Sequence, residues 1–165
     1  MKKHPELDEP SAKLRDLIED IDFCMLTTLE PDGSLHSRPM STQEMDAEGC
    51  LWFFTSTDSA KVREVRADEH VNLNYARPKD MRYVSVSGTA EVVRDPAKNK
   101  ELWKPIYKTY FPEGLDDPNL GLLKVHVHEA EFWDDSSNRM VKFFKFVKSA
   151  VTGTAYEADH GKMQM

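Results

Sequence analysis

Two hydroxyl-rich segments of the chain each contain a basic residue. Each lies where an apolar, strand-like segment gives way to polar residues. A phosphate group is bound by paired positive charges, small hydroxyls and backbone N–H groups. The residues of the two clusters are Ser37, Arg38, Thr55, Ser56, Ser59 and Lys61. Together they predict one local phosphate-binding site with two walls.

The composition is typical of a folded globular protein. The chain has 165 residues, of which 39% are hydrophobic and 31% charged, and this is enough for one domain with a substantial core. No apolar run approaches the roughly 20 residues that a membrane span needs. The two lysines near the N-terminus are not followed by the apolar stretch of a secretory signal. We therefore expect a cytoplasmic protein with no membrane partner.

Charge, cysteine content and histidine spacing argue against three further kinds of site. The formal net charge of −7 argues against a general nucleic-acid binder, which needs a basic face. Cys24 and Cys50 lie in apolar contexts without C-x-x-C spacing, so we expect small buried thiols rather than a redox pair. His126 and His128 are two apart on a predicted strand, but no third ligand is evident, so we expect no metal.

The first half of the chain predicts the elements that position the two clusters. Apolar residues at helical spacing predict a helix over residues 10–20, with Ser11 as N-cap. Residues 23–40 predict a hairpin around the turn Pro-Asp-Gly. Residues 51–56 are a continuous apolar run, which predicts a buried strand, and a short helix follows from Asp58 or Ser59. The second cluster thus lies between a strand end and a helix start.

The second half predicts more antiparallel strands. Residues 70–78 and 81–95 alternate with period two and predict a second hairpin, and a polar helix begins at Asp95 or Pro96 and is interrupted at Pro105. Two further strands are predicted over 122–135 and 139–151. The fold expected is mainly β with short helices, a closed antiparallel barrel. We predict a domain over residues 1–150 and a tail over 151–165 that is a candidate for disorder. No Rossmann or P-loop glycine motif is present.

The order of these segments resembles one known family. A helix, a hairpin ending in SRPM, and then LWFFTSTDSAKVREV, VNLNYA and YVSVSGTAEVV resemble the pyridoxamine 5′-phosphate oxidase-like flavin-binding split barrels, most closely their general stress protein branch. The resemblance runs from about residue 8 to about residue 148. It implies an antiparallel FMN-binding split barrel and a homodimer with flavin at the interface, to which both protomers contribute. FMN is the implied cofactor, with FAD as the alternative.

The resemblance also implies roles for individual residues. Arg38 and Lys61 would bind the flavin phosphate, with help from Ser59 and the backbone around Val62. The implied neighbours of the flavin ring are Pro39, Met40, Phe53, Phe54, Thr55 and Ser56. Because Phe53 and Phe54 lie on opposite faces of a strand, at least one is expected in the core. Trp133 would approach the flavin from the partner chain.

The reaction is left open between three alternatives. The first is a flavin-dependent oxidoreductase or flavin buffer, in which the flavin carries the chemistry and no side chain is assigned a catalytic role. The second is a pyridoxamine or pyridoxine 5′-phosphate oxidase, but residues 143–161 lack the Arg-x-His pair that the resemblance would require. The third is a split barrel without flavin that binds haem or serves as an interaction domain.

Overall fold

The computed structural model describes residues 7–135 and 159–165, and within them β-strands dominate. The helices and strands are α1 (Glu9–Ile18), β1 (Phe23–Leu29), β2 (Leu35–Met45), β3 (Leu51–Ser56), α2 (Ala60–Ala67), β4 (His70–Arg77), β5 (Arg82–Val93), α3 (Pro96–Leu102), β6 (Leu120–Asp134) and β7 (Asp159–Gln164). Short 3₁₀ turns lie at Pro78–Asp80, Pro105–Thr109 and Gly114–Asp116. No helix of the described part is long and apolar enough to cross a membrane.

The strands form one antiparallel sheet that closes on itself. Their order is β3-β2-β1-β4-β5-β6-β7, and an additional pairing between β3 and β6 closes the first six strands into a barrel. The second half of β6 pairs with β7, which extends the sheet outside the closed ring. The mainly β barrel with short helices that the sequence predicts is therefore confirmed.

Period-two alternation sorts the strand residues between core and surface. In β1, Cys24, Leu26 and Thr28 are buried, whereas Phe23 and Met25 are exposed. Helix α1 packs its own apolar stripe onto the same core, through Leu14, Leu17 and Ile18. In the turn that joins β1 and β2, Gly33 has a φ of 87°, the left-handed conformation for which the sequence predicts glycine.

Both cysteines are free and buried, as the sequence predicts. Burial raises the pKa of the Cys24 thiol to about 11 and, with the carboxylate of Asp46, that of the Cys50 thiol to about 11. Both therefore carry a proton at neutral pH, which makes them small apolar packing groups rather than nucleophiles.

Two sequence-based expectations are wrong in detail. Helix α1 is capped by Asp8, whose side chain accepts from the Ser11 N–H at 3.0 Å, so Ser11 lies inside the helix and is not its cap. At the N-cap position, an aspartate side chain accepts a hydrogen bond from the N3 amide as well as a serine does. Asp8 lies three residues before Ser11, so it takes the cap position and makes Ser11 the N3 residue.

The second error concerns the tail, because Asp159–Gln164 forms strand β7 rather than irregular chain. The segment has few apolar residues, so its sequence does not predict a strand, but polar cross-strand pairs stabilise it as an edge strand. His160 contacts Glu131 at 2.8 Å, and Lys162 contacts Glu129 at 2.8 Å. The strand predicted over 139–151 and the domain boundary predicted at residue 150 lie outside the described residues.

The barrel is split between β2 and β3. The two strands pair only from Thr42 to Met45 of β2 and from Leu51 to Phe53 of β3. Among the described strands, β2 upstream of Thr42 pairs with β1 alone, and β3 beyond Phe53 pairs with β6 alone. The facing edges of these two segments therefore diverge and leave an opening in the barrel wall.

Candidate functional site

A cleft of about 1000 Å³ occupies the opening between β2 and β3. Strand β2 forms one wall, and the end of β3 with the start of α2 forms another. The C-terminal half of α1 and residues 104–111 close the remaining sides. The cleft is thus built by segments from four parts of the sequence, and the barrel brings them together.

Most of the sequence-predicted site residues line this cleft. Those in its wall are Arg38, Pro39, Met40, Phe54, Thr55, Ser56 and Lys61. The two predicted clusters therefore meet, because β2 and the β3–α2 connection face each other across the split. The predicted residues that do not line it are Ser37, Phe53, Ser59, Val62 and Trp133.

Three of these five residues lie near the cleft without lining it. Phe53 and Val62 are fully buried in the barrel, so a direct ring contact from the Phe53 side chain is not supported by this geometry. Ser59 is the N-cap residue of α2, and its hydroxyl accepts from the Lys61 ammonium at 3.4 Å. Ser59 thus positions Lys61, and Val62 anchors the helix.

The other two face the outside of the sheet. The Ser37 hydroxyl lies 2.7 Å from that of Thr27 on the neighbouring strand. Trp133 is 38% exposed and stacks on His160, with the ring centroids 5.2 Å apart. Neither side chain lines the cleft of its own chain.

Arg38 and Lys61 place two positive charges at the cleft, and Arg38 is already paired. Its guanidinium donates to the Glu64 carboxylate at 2.6 Å and to the Thr28 hydroxyl. The side chains of Arg38 and Glu64 are only 15% and 9% exposed, so this ion pair is largely removed from water. Burial raises the pKa of Glu64, but hydrogen bonds from Thr28 and Arg38 outweigh it and the net shift is downward.

Lys61 lies in a less polar environment than a surface lysine. Burial lowers the pKa of its ammonium, and the positive charge of Arg38 lowers it further. A bound anion beside the two cations would raise the pKa of Lys61 again, since its negative charge would stabilise the ammonium. The pair is thus electrostatically suited to a phosphate group.

His36 joins this network, although sequence reasoning did not assign it to the site. Its Nδ1 lies 2.9 Å from Nη2 of Arg38, 3.1 Å from Oε1 of Glu30 and 3.9 Å from Oε1 of Glu64. Two spacings in the sequence could have indicated the cluster. His36 and Arg38 share a strand face, and Lys61 and Glu64 share a helix face.

Glu30, His36 and Glu64 also have the geometry of a possible metal site, with ligand atoms within 4.8 Å of one another. The Arg38 guanidinium contacts two of the three. A positive charge therefore already occupies the position that a metal cation would take.

An aromatic cluster forms another part of the cleft wall. Phe54 lies at the centre of this aromatic cluster, with its ring centroid 5.3 Å from that of Tyr107 and 5.7 Å from that of Trp103. Lys104 and Tyr107 also line the cleft.

The residues of the cleft fit a flavin nucleotide on three separate grounds. Two cations suit the phosphate. The diverging edges of β2 and β3 present backbone groups that their strand partners do not use, and the polar edge of a flavin ring needs such groups. Phe54, Met40 and Pro39 supply an apolar bed for a flat ring.

A closed antiparallel barrel with a cation-lined split between two of its strands defines the class of split-barrel proteins. Residues 9–157 match the family model described as Pyridoxamine 5′-phosphate oxidase like, and the chain belongs to this family. The predicted resemblance is therefore confirmed.

Similar proteins support the same assignment. The general stress FMN/FAD binding protein of Xanthomonas citri is 32% identical, with a TM-score of 0.64 over 78% of this chain and 90% of that one. A structure from Jannaschia sp. CCS1 covers 94% of this chain and 98% of its own with a TM-score of 0.76, and at 22% identity it shows the fold. Protein bli-3 of Neurospora crassa is 28% identical over 157 residues, which are 89% of this chain and 75% of that protein.

Proposed function

We propose that the protein binds a flavin nucleotide in the cleft between β2 and β3, as a flavin-dependent oxidoreductase or flavin buffer. FMN is the proposed ligand and FAD the alternative. The observation that carries the proposal is the placement of Arg38 and Lys61 together at an apolar cleft. The FMN/FAD binding named for the Xanthomonas citri protein supports the same ligand class.

The chain contributes binding and orientation, while a bound flavin supplies the hydride chemistry. Arg38 offers a planar fork of N–H donors and Lys61 a point charge, so together they fix the phosphate in position and direction. The backbone of β2 and β3 at the split orients the polar edge of the ring. Phe54 and Met40 exclude water from the apolar part of the ring.

A titration with FMN, FAD and riboflavin, followed by quenching of flavin fluorescence, tests the proposal. We expect FMN to bind about 100-fold more tightly than riboflavin, because each charge-assisted hydrogen bond to the phosphate contributes about 1.5–3 kcal/mol. Equal affinity for FMN and riboflavin would remove the phosphate assignment. If none of the three binds, the flavin proposal fails, and the alternative of a split barrel that binds haem or serves as an interaction domain takes its place.

We also propose a homodimer in which the flavin lies at the interface. The strands expose several large apolar side chains that a monomer would leave in water. The members of this set, here called the apolar band, and their exposed fractions are Phe23 (55%), Met25 (42%), Leu35 (73%), Tyr83 (43%) and Trp133 (38%). Trp133 belongs to this band and not to the cleft of its own chain. The location therefore supports the expectation that Trp133 approaches the partner's flavin.

Light scattering of the purified protein tests the dimer. We expect twice the chain mass for the unmodified protein, and a monomer for Met25→Glu, which places a charge inside the band. Leu115→Glu is the matched control, because Leu115 is similarly exposed at 41% but lies in a 3₁₀ turn outside the sheet. A monomer that binds flavin tightly would contradict the shared site.

A further inference from the structure

His36 occupies a position between a donor and an acceptor. Its Nδ1 is 2.9 Å from the Arg38 guanidinium, which can only donate, and 3.1 Å from the Glu30 carboxylate, which accepts when ionised. A ring nitrogen carries either a lone pair or a hydrogen. Without a hydrogen, Nδ1 can therefore accept from Arg38, and with a hydrogen it can donate to Glu30, but it cannot do both. The second state is either the neutral tautomer with its hydrogen on Nδ1 or the charged imidazolium.

The formal charges around this nitrogen balance while the imidazole is neutral. Arg38 and Lys61 contribute two positive charges, and Glu30 and Glu64 contribute two negative ones. A phosphate dianion that approaches Arg38 therefore enters a cluster without net positive charge. It also draws the guanidinium away from Nδ1, since both compete for the same N–H donors. The first effect favours the charged imidazolium over either neutral tautomer, and the second favours a hydrogen on Nδ1.

We propose that His36 is a specificity-determining residue of the flavin site, because binding of the phosphate is coupled to uptake of a proton on its Nδ1. In the phosphate-bound state, Nδ1 donates to Glu30 and the imidazolium charge faces Glu64, while Arg38 turns the N–H that it withdraws from Nδ1 to the phosphate. This inference rests on the proposed function, and it adds a selection for phosphorylated over unphosphorylated flavins that strengthens with acidity.

The sign of the pH dependence follows from the linkage. A ligand whose binding takes up a proton binds more tightly as pH falls, and histidine ordinarily changes charge between pH 5 and 8. The affinity for FMN should therefore rise as pH falls towards 6.5. Riboflavin has no phosphate and should show no such rise. Below about pH 6 the phosphate itself takes up a proton, so the useful window lies above that value.

Every charged or polar group near the imidazole bears on this test. β1 contributes the Thr28 hydroxyl, which joins Glu64 to Arg38, and the turn after β1 contributes Glu30, which also accepts from Ser34 at 3.4 Å. Helix α2 contributes Glu64 and Lys61. The pKa of Lys61 is lowered, and a lysine that has lost its proton no longer attracts a phosphate, so Lys61 can only add a dependence of the same sign. A variant at His36 itself is needed to separate the two contributions.

The experiment measures dissociation constants for FMN and riboflavin between pH 6.5 and 8.5 in the full chain. For the unmodified protein we expect the ratio of FMN to riboflavin affinity to rise about tenfold from the upper to the lower pH. His36→Gln should remove most of this rise, and Glu30→Gln should reduce it. His128→Gln is the matched control, since it removes an exposed histidine on β6 and should leave the rise unchanged.

Calorimetry in two buffers of different ionisation enthalpy gives a second readout. We expect net uptake of a proton on FMN binding by the unmodified protein, and none on riboflavin binding. An FMN preference that is independent of pH, or that keeps its pH dependence in His36→Gln, would overturn the role of His36 and leave the flavin proposal standing. Absence of any FMN preference at every pH would instead overturn the proposed function.

Discussion

The affinity for FMN is expected to fall at least 100-fold when Arg38 and Lys61 are both replaced by alanine. Each substitution removes a charge-assisted contact to the phosphate, and two such contacts contribute about 3–6 kcal/mol. Riboflavin should bind the double variant as it binds the unmodified protein, because the ring contacts at Phe54 and Met40 are retained. Fluorescence quenching with both ligands measures the two effects in one preparation.

The control for this variant removes two positive charges elsewhere. Arg66→Ala with Lys79→Ala changes the net charge equally, and neither residue lines the cleft. We expect FMN affinity to change less than threefold in that control, since exposed charges at a distance are screened by salt. An equal loss in both double variants would mean that net charge, and not a phosphate pocket, governs binding.

Glu64→Ala is expected to lower the free energy of unfolding of the ligand-free protein by about 3 kcal/mol. The substitution leaves the Arg38 guanidinium, whose side chain is 15% exposed, without its charged partner, and breaking one side of a buried ion pair is costly. Urea denaturation measures the change. Glu69→Ala, at an exposed position beyond the end of α2, should change stability by less than about 0.5 kcal/mol.

A double-mutant cycle identifies the source of that loss. If the ion pair is responsible, Arg38→Ala combined with Glu64→Ala should destabilise the protein by clearly less than the sum of the two single variants. Additive losses would show that each side chain acts through separate packing contacts. In that case, the ion pair between Arg38 and Glu64, which lies at the centre of the network around His36, would contribute nothing to stability.

Local patterns in the sequence predicted most of the fold. Alternation with period two in residues 70–78 and 81–95 gave the β4–β5 hairpin, and a hydroxyl and lysine at a helix start gave one wall of the cleft. The second wall could be predicted because Arg38 lies on the strand that follows the Pro-Asp-Gly turn, and the family resemblance implies a phosphate-binding residue at this position.

The parts that could not be predicted depend on long-range pairing. Arg38 and Glu64 are 26 residues apart, and the packing of α2 on β1 and β5 brings them together. Residues 104–111 likewise reach the cleft through packing on a distant part of the chain, the cluster around Phe54. Strand β7 escaped detection because its partner, β6, stabilises it through polar pairs at the sheet edge, and such pairs leave no apolar signature in the sequence.

The incomplete pairing between β2 and β3 has a consequence for the protein without its ligand. An open strand edge is a template on which another chain can add a strand, and within the described residues two such edges face each other, upstream of Thr42 in β2 and beyond Phe53 in β3. A molecule lying between them would shield the same peptide groups that would otherwise recruit a neighbouring chain. Flavin supply would then govern how readily the protein aggregates, as well as whatever reaction the bound flavin supports.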